Sequence, residues 1–369
     1  MKHGRVLLLV VFCLLSIALP AAQARQSASP LVAFVNSSGQ LIVSSGDGSY
    51  RWIVTNPGEK LAGDPAWSDS GLLFVVGGSL RAGSVSQQSA SDVGKAAGTL
   101  LSVSANGKFV FYQASDGSYQ IQGQDGSGGF ALPITNDLGA RYSGLWSGTL
   151  VAYWGYSGNS TLAVTDAAAQ QTVTLDSGRS APITPLAWRP KSTQLIFRDA
   201  TGSIRLVDLA CLQGGCSTNP LENAATLTAA DTDIATDGTW LYFRADTNIN
   251  AVKLDCGSSC TGVAIAANAA PQTALSAAGG TLIYTAYEQN PNDPSDREVR
   301  AINLDCMSNP SSCAPQTVLA SAVAGAISTD GHYAVVQLAS GLNSLDLGNG
   351  STAYLSDAGA SLTDAIWQP

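Results

Sequence analysis

Short apolar runs separated by polar turns recur along the chain, with the spacing of strands and without any helix-period pattern of useful length. A bulky residue leading into a turn stands at positions 67, 103, 146, 188, 234, 275, 327 and 367. Examples are Pro65-Ala66-Trp67-Ser68-Asp69-Ser70-Gly71, Leu145-Trp146-Ser147-Gly148 and Ile327-Ser328-Thr329-Asp330-Gly331. The interval is roughly 42 residues, the size of one four-stranded propeller blade. The Asp-Gly or Asn-Gly turn suits a tight hairpin, and an apolar second strand follows it, as at Leu72 to Val76, Leu241 to Phe243 and Leu282 to Tyr284. A third strand alternates in character (Tyr119 to Gln122, Ile204 to Leu209), and a fourth ends near Ile134-Thr135 or Leu227-Thr228. The weakest unit follows Trp67, because Gln87 to Gly98 lacks a convincing outer strand.

The two ends of the chain decide the count. Leu31 to Val35, Leu41 to Ser44 and Tyr50 to Thr55 supply three strands without a leading one, whereas Asp364 to Gln368 is a leading strand with nothing after it. Joining them completes a blade and removes exposed sheet edges. The expected fold is therefore all-β, a single β-propeller over residues 25–369 with eight four-stranded blades. Seven blades is the alternative if one unit is misread.

Residues 1–24 stand apart. Lys2, His3 and Arg5 precede the apolar run Val6 to Leu19, Pro20 breaks it, and Ala22-Gln23-Ala24 offers small residues for cleavage, so a signal peptide ending near Ala24 is expected. The run is shorter than the ~18 residues of a spanning helix. Export to a secreted or periplasmic location agrees with the remaining cysteines, which fall in three close pairs: Cys211 with Cys216, Cys256 with Cys260, and Cys306 with Cys313. Each pair follows an apolar strand, and three copies of one arrangement make local disulfides the simplest pairing. A zinc or thiol-redox site would ask for a C-x-x-C or a nearby His, and neither stands there.

The repeats resemble the WD40-like repeat of TolB-type β-propellers, with consensus Pro-x-Trp-Ser-Pro-Asp-Gly, then an apolar strand, then a strand ending in Asp. Pro65 to Phe74 matches the opening, and Arg297 to Asp305 is similar to the third strand. The resemblance covers nearly all of residues 25–369. It implies an extracytoplasmic propeller that binds protein, without the α/β domain of TolB itself.

Charge and chemistry narrow the function classes. Lys plus Arg number 18 against 27 Asp plus Glu, a net charge of −9, so there is no basic footprint for nucleic acid or an anionic lipid surface. His332 is the single histidine after residue 24 and reads as a turn residue, which leaves no Ser-His-Asp triad or His-rich metal site to assemble. Glutamates for a glycosidase pair are limited to Glu59, Glu222, Glu288 and Glu298, while the aspartates sit mostly in turns. Gly48-Ser49-Tyr50-Arg51-Trp52 resembles the docking motif of eight-bladed quinoproteins, but it occurs once and reads as outer-strand packing. No catalytic residue, metal or cofactor is assigned.

The loops before the first strands and between second and third strands share one face. They hold the candidate ligand-binding residues Asp64, Arg141, Tyr142, Asp231 and Asp233, and the loop carrying Glu288, Asp293, Asp296 and Arg297. The expectation is a non-catalytic binding or scaffolding module whose partner is a protein or cell-envelope component. The alternative is an enzyme with a site at the channel mouth, either a hydrolase or a quinone-cofactor dehydrogenase.

Overall fold

The computed structural model describes residues 29–69, 71–95, 98–133, 144–157, 159–179, 183–213, 225–229, 234–257, 260–271, 274–288, 290, 293, 295–362 and 365–369. These residues form eight four-stranded sheets. Blade 1 joins Ile366–Trp367 to Leu31–Val35, Leu41–Ser45 and Arg51–Ile53. Blades 2 to 8 follow in chain order, with first strands Ala66–Ser68, Gly98–Val103, Leu145–Ser147, Thr184–Trp188, Ile234–Thr236, Ser276–Ala278 and Val323–Ile327. Each first strand touches the first strands of the blades before and after it, so the ring closes, and the protein is an eight-bladed β-propeller. The proposed leader, residues 1–24, lies outside the described residues.

The apolar second strands are explained by burial on both faces. In blade 2, Leu72, Phe74 and Val76 pack against blade 1, while the alternate residues Leu73 and Val75 pack against blade 3. A strand with no solvent-facing side reads as a continuous apolar run instead of an alternation. The core is accordingly divided into eight apolar clusters, one at each seam between neighbouring blades. Outer strands obey the opposite rule. Ser89–Lys95 closes blade 2 although Val93 is the only large apolar residue in Gln87 to Gly98, because an edge strand needs only the backbone ladder on one side. In blade 3 the fourth strand is Phe130–Ala131, and Ile134-Thr135 falls outside the described residues.

Among the described residues no backbone ladder joins two sheets, and besides isolated backbone bonds such as that from the Asp69 N–H to the Ala105 carbonyl, side chains supply the directional contacts. Four first-strand tryptophans each donate the indole N–H to the first strand of the preceding blade. Trp67 donates to the Ile366 carbonyl (3.0 Å), Trp146 to Ser102 Oγ (2.8 Å), Trp188 to the Leu145 carbonyl (2.8 Å) and Trp367 to the Ala326 carbonyl (2.9 Å). Two of these four bonds straddle the joined ends. There Val32 pairs with Trp367 and Ala33 with Ile366, so the C-terminal strand completes the N-terminal blade as the sequence led one to expect.

Because every blade has four antiparallel strands, connections alternate between two faces. Crossovers to the next blade and second-to-third loops share the crossover face; first-to-second turns and third-to-fourth loops share the turn face. Cys256 is bonded to Cys260 and Cys306 to Cys313, both in third-to-fourth loops on the turn face. The second loop folds Met307 into the core between blades 6 and 7, so its disulfide pins an apolar plug at the end of a seam. Cys216 lies outside the described residues, and with it the pairing to Cys211. On the crossover face, Ala62 donates its N–H to Val75 and accepts from Leu100, tying the chain between blades 1 and 2 across to blade 3. Gly63 makes this approach possible: at φ +95° a Cβ there would lie 1.8 Å from the Leu100 carbonyl oxygen.

Two outcomes follow for stability. Deleting residues 364–369 leaves blade 1 open and an edge exposed, so a thermal melt should lose its cooperative transition or end in aggregation. An unchanged transition would count against closure by the C-terminal strand. Gly63→Ala should lower stability by about 3 kcal/mol in a denaturant melt, through backbone strain and the lost bridge to Leu100. A change within experimental error would show that the crossover is not strained there.

Candidate functional site

A cleft of ≈ 1000 Å³ opens on the turn face at the seam between blades 8 and 1, where the first and last strands of the ring meet. Its floor is set by packing. The Tyr333 ring tilts against Trp367 at 6.4 Å and lies so near Gly46 that a Cβ there would be 2.8 Å from the ring. The Gly46 carbonyl in turn accepts from Ser344 Oγ, which locks the third-to-fourth loop of blade 1 onto blade 8. Tyr50 forms a wall, its hydroxyl donating to the Val85 carbonyl (3.1 Å) of blade 2.

Three carboxylates line this cleft, each held by its own turn. Asp47 Oδ1 accepts from Ser45 Oγ (2.5 Å), the Ser49 N–H (3.0 Å) and Ser49 Oγ (2.8 Å). The Ser45 hydroxyl is the main reason its pKa lies below the ordinary value; partial burial opposes it, and the Ser49 bonds add to the lowering. Burial of Asp330 likewise disfavours its charge, but the bonds from Ser328 Oγ (2.5 Å) and the His332 N–H (3.0 Å), with the His332 ring beside it, outweigh this and lower the pKa. Asp346 accepts from the Gly348 N–H (2.8 Å) and Asn349 Nδ2 (3.0 Å). His332 itself is largely exposed, its Nδ1 3.4 Å from Asp330 Oδ2. A second cleft of ≈ 630 Å³ at the seam between blades 7 and 8 shares Asp330 and His332 and adds Asp305. Among the described residues no group of three or more His, Cys, Asp and Glu is placed to hold a metal ion.

Of the candidate ligand-binding residues singled out from the sequence, those among the described residues are on the other face. Asp64 is exposed in the crossover ahead of blade 2. Glu288, Asp293 and Asp296 share the second-to-third loop of blade 7, where the Glu288 N–H donates to the Asp296 carbonyl and Ser295 binds Asp293 through both its N–H and hydroxyl. Arg297 opens the third strand opposite Tyr287, and its Nε is buried without a hydrogen-bond partner. Blades 2 and 7 are not neighbours, so the fold keeps Asp64 apart from that loop. Arg141, Tyr142, Asp231 and Asp233 lie outside the described residues. Trp52 of the quinoprotein-like segment packs in the core between blades 1 and 2. The seam cleft was not visible as a motif. Its available signals were the lone His332 beside the Asp330-Gly331 turn, and the need for the chain ends to join.

No family model and no curated protein matches the chain. Solved structures do match. A chain in the crystal structure of a mitotic checkpoint complex is similar at 15% identity, with 92% of this chain and 98% of that one covered and a TM-score of 0.50. A dihydro-heme d1 dehydrogenase, NirN, is similar at 13% identity over 91% of this chain and 76% of its own, with a TM-score of 0.56. The dipeptidyl peptidase 4 of Porphyromonas gingivalis is similar at 10% identity over 88% of this chain, with a TM-score of 0.56, but this chain spans only 59% of its length. At such identities the likeness is one of fold.

The turn carboxylates make stability depend on acid in a defined direction. Asp47, Asp116, Asp125, Asp199 and Asp330 all have folded pKa values below their ordinary ones, Asp116 and Asp125 chiefly through the hydroxyls of Ser118 and Ser127. Their contribution is complete above the unfolded carboxylate value of about 3.9 and is lost as pH falls through the folded values. Urea melts across this range should show a plateau at higher pH and a decline below it. Stability that rises on acidification would contradict the turn assignment.

Proposed function

We propose that this chain is an exported, non-catalytic β-propeller that binds a protein partner through the turn face of the ring. The observation that carries the reading is the seam cleft between blades 8 and 1, a large groove whose floor is fixed by packing and whose carboxylates are fixed by turns. Pre-ordered walls lower the entropy lost on association. Lowered pKa values keep Asp47 and Asp330 ionised, the opposite of the raised value that a carboxyl needs to act as a general acid near neutral pH. Export is supported by the apolar leader and by two disulfides, which suit an oxidising compartment. Among the described residues no helix is long and apolar enough to cross a membrane. The Pro65 to Phe74 repeat supports a relationship to TolB-type propellers.

The fold-level likeness to a peptidase and a dehydrogenase accommodates the alternative, an enzyme at the channel mouth, equally well. Site-specific photo-cross-linking in the producing cell separates the readings. A photoreactive residue in place of His332 should give a discrete higher-mass adduct, while one in place of Asp64 or Asp293 tests the crossover face. Adducts confined to the crossover face would move the binding surface there. No adduct from either face, together with turnover of a peptide substrate by the purified protein, would replace binding by catalysis.

A further inference from the structure

We infer that the cleft between blades 8 and 1 takes an extended, Lys- or Arg-bearing segment of the partner protein, an assignment that rests on the proposed binding role. Charge complementarity points to this occupant. Asp47, Asp330 and Asp346 line the cleft, and no Lys or Arg is among its lining residues. The turns occupy both oxygens of Asp346 but orient the other two carboxylates without using them up. In Asp47 and Asp330 the turn donors all bond Oδ1, which leaves Oδ2 for an incoming N–H donor, shared in Asp330 only with the His332 ring at 3.4 Å.

The remaining lining suits the rest of such a side chain. Pro30, Leu31 and Val85 provide apolar surface for the methylene stem of a Lys or Arg, and Tyr50 and Tyr333 offer rings that favour a nearby cation. The length of the surface favours an extended segment over a single residue. The cleft at the seam between blades 7 and 8 continues past the shared Asp330 and His332 to Asp305, so carboxylates recur from Asp47 to Asp305 across two seams. An acidic segment would meet like charge along the same path.

Substitution of Asp by Asn removes the charge and keeps the turn. Asn106 already plays the part of Asp330 in blade 3, where its Oδ1 accepts from Ser104 Oγ (2.8 Å) and the Lys108 N–H (3.0 Å). The probe is a fluorescein-labelled alternating Lys-Gly peptide, with a Glu-Gly peptide as control, titrated against the purified protein by anisotropy. The Lys-Gly peptide should bind and the Glu-Gly peptide should not, and binding should weaken as salt rises. Asp47→Asn with Asp330→Asn should lower affinity about tenfold. Ser49→Arg, which puts a cation into the cleft from an exposed position, should abolish binding, whereas Asp116→Asn on the crossover face should leave it unchanged. A melting curve confirms the fold of each variant, and the Asn pair decides the matter if Ser49→Arg does not fold. Equal binding of the two peptides, unchanged affinity in the Asn pair, or an equal loss in Asp116→Asn would overturn the assignment. If cross-links at position 332 persist while the Lys-Gly peptide fails, the cationic occupant is wrong and the binding role stands; if cross-links fail from both faces, the binding role falls with it.

Discussion

The ring depends on holding first strands together across seams that have no backbone ladder. Apolar contact supplies most of the attraction but little direction, since it scales with buried area and tolerates sliding. The indole N–H of Trp67, Trp146, Trp188 and Trp367 supplies direction, because each reaches one acceptor on the preceding blade and fixes the height of one first strand against the next. Where tryptophan is missing other donors take over. The Ile327 N–H reaches Ser276 Oγ between blades 7 and 8, and the Arg189 guanidinium holds the Gly238 carbonyl and both Asp255 oxygens between blades 5 and 6. The Arg189–Asp255 pair is partly exposed, so its worth lies more in register than in net stability.

Closure gives the seam between blades 8 and 1 its special character. This seam brings Gly46 to Ser344 and Arg51 to the Leu355 carbonyl over about 300 residues of sequence, and the seam between blades 1 and 2 shares such a contact only where Trp67 reaches the C-terminal strand at Ile366. The groove between blades 8 and 1 is bounded by turns from both ends of the chain and by the single histidine of the ring. Short turns anchored by their own Asp side chains form a stiff rim. The same feature that stabilises the hairpins therefore places carboxylates at fixed positions along the rim of the cleft.

Part of the architecture was legible in local pattern. A period of roughly 42 residues, Asp-Gly and Asn-Gly turns, and doubly buried second strands are all set by short-range chemistry, and the count of eight followed from matching a three-strand start to a one-strand end. The outer strand Ser89–Lys95 escaped notice because an edge strand is held by backbone bonds that leave little mark on side-chain choice. Two of the cysteine pairings were also visible, since partners four and seven residues apart are constrained by the loop that contains them.

The candidate site was a matter for tertiary structure. Asp47, Asp330 and Asp346 look alike in sequence, and like most aspartates of this chain each bonds its own turn. Nothing in their neighbours distinguishes them from Asp116 or Asp125. What sets them apart is the company that ring closure brings, Tyr333 over Trp367 beside Gly46, with Tyr50 opposite. The sequence by itself determined the repeat, the turns and the number of blades, because those depend on residues close together in the chain. Only the closed ring decided which turns face one cleft, because that depends on contacts between segments at opposite ends of it.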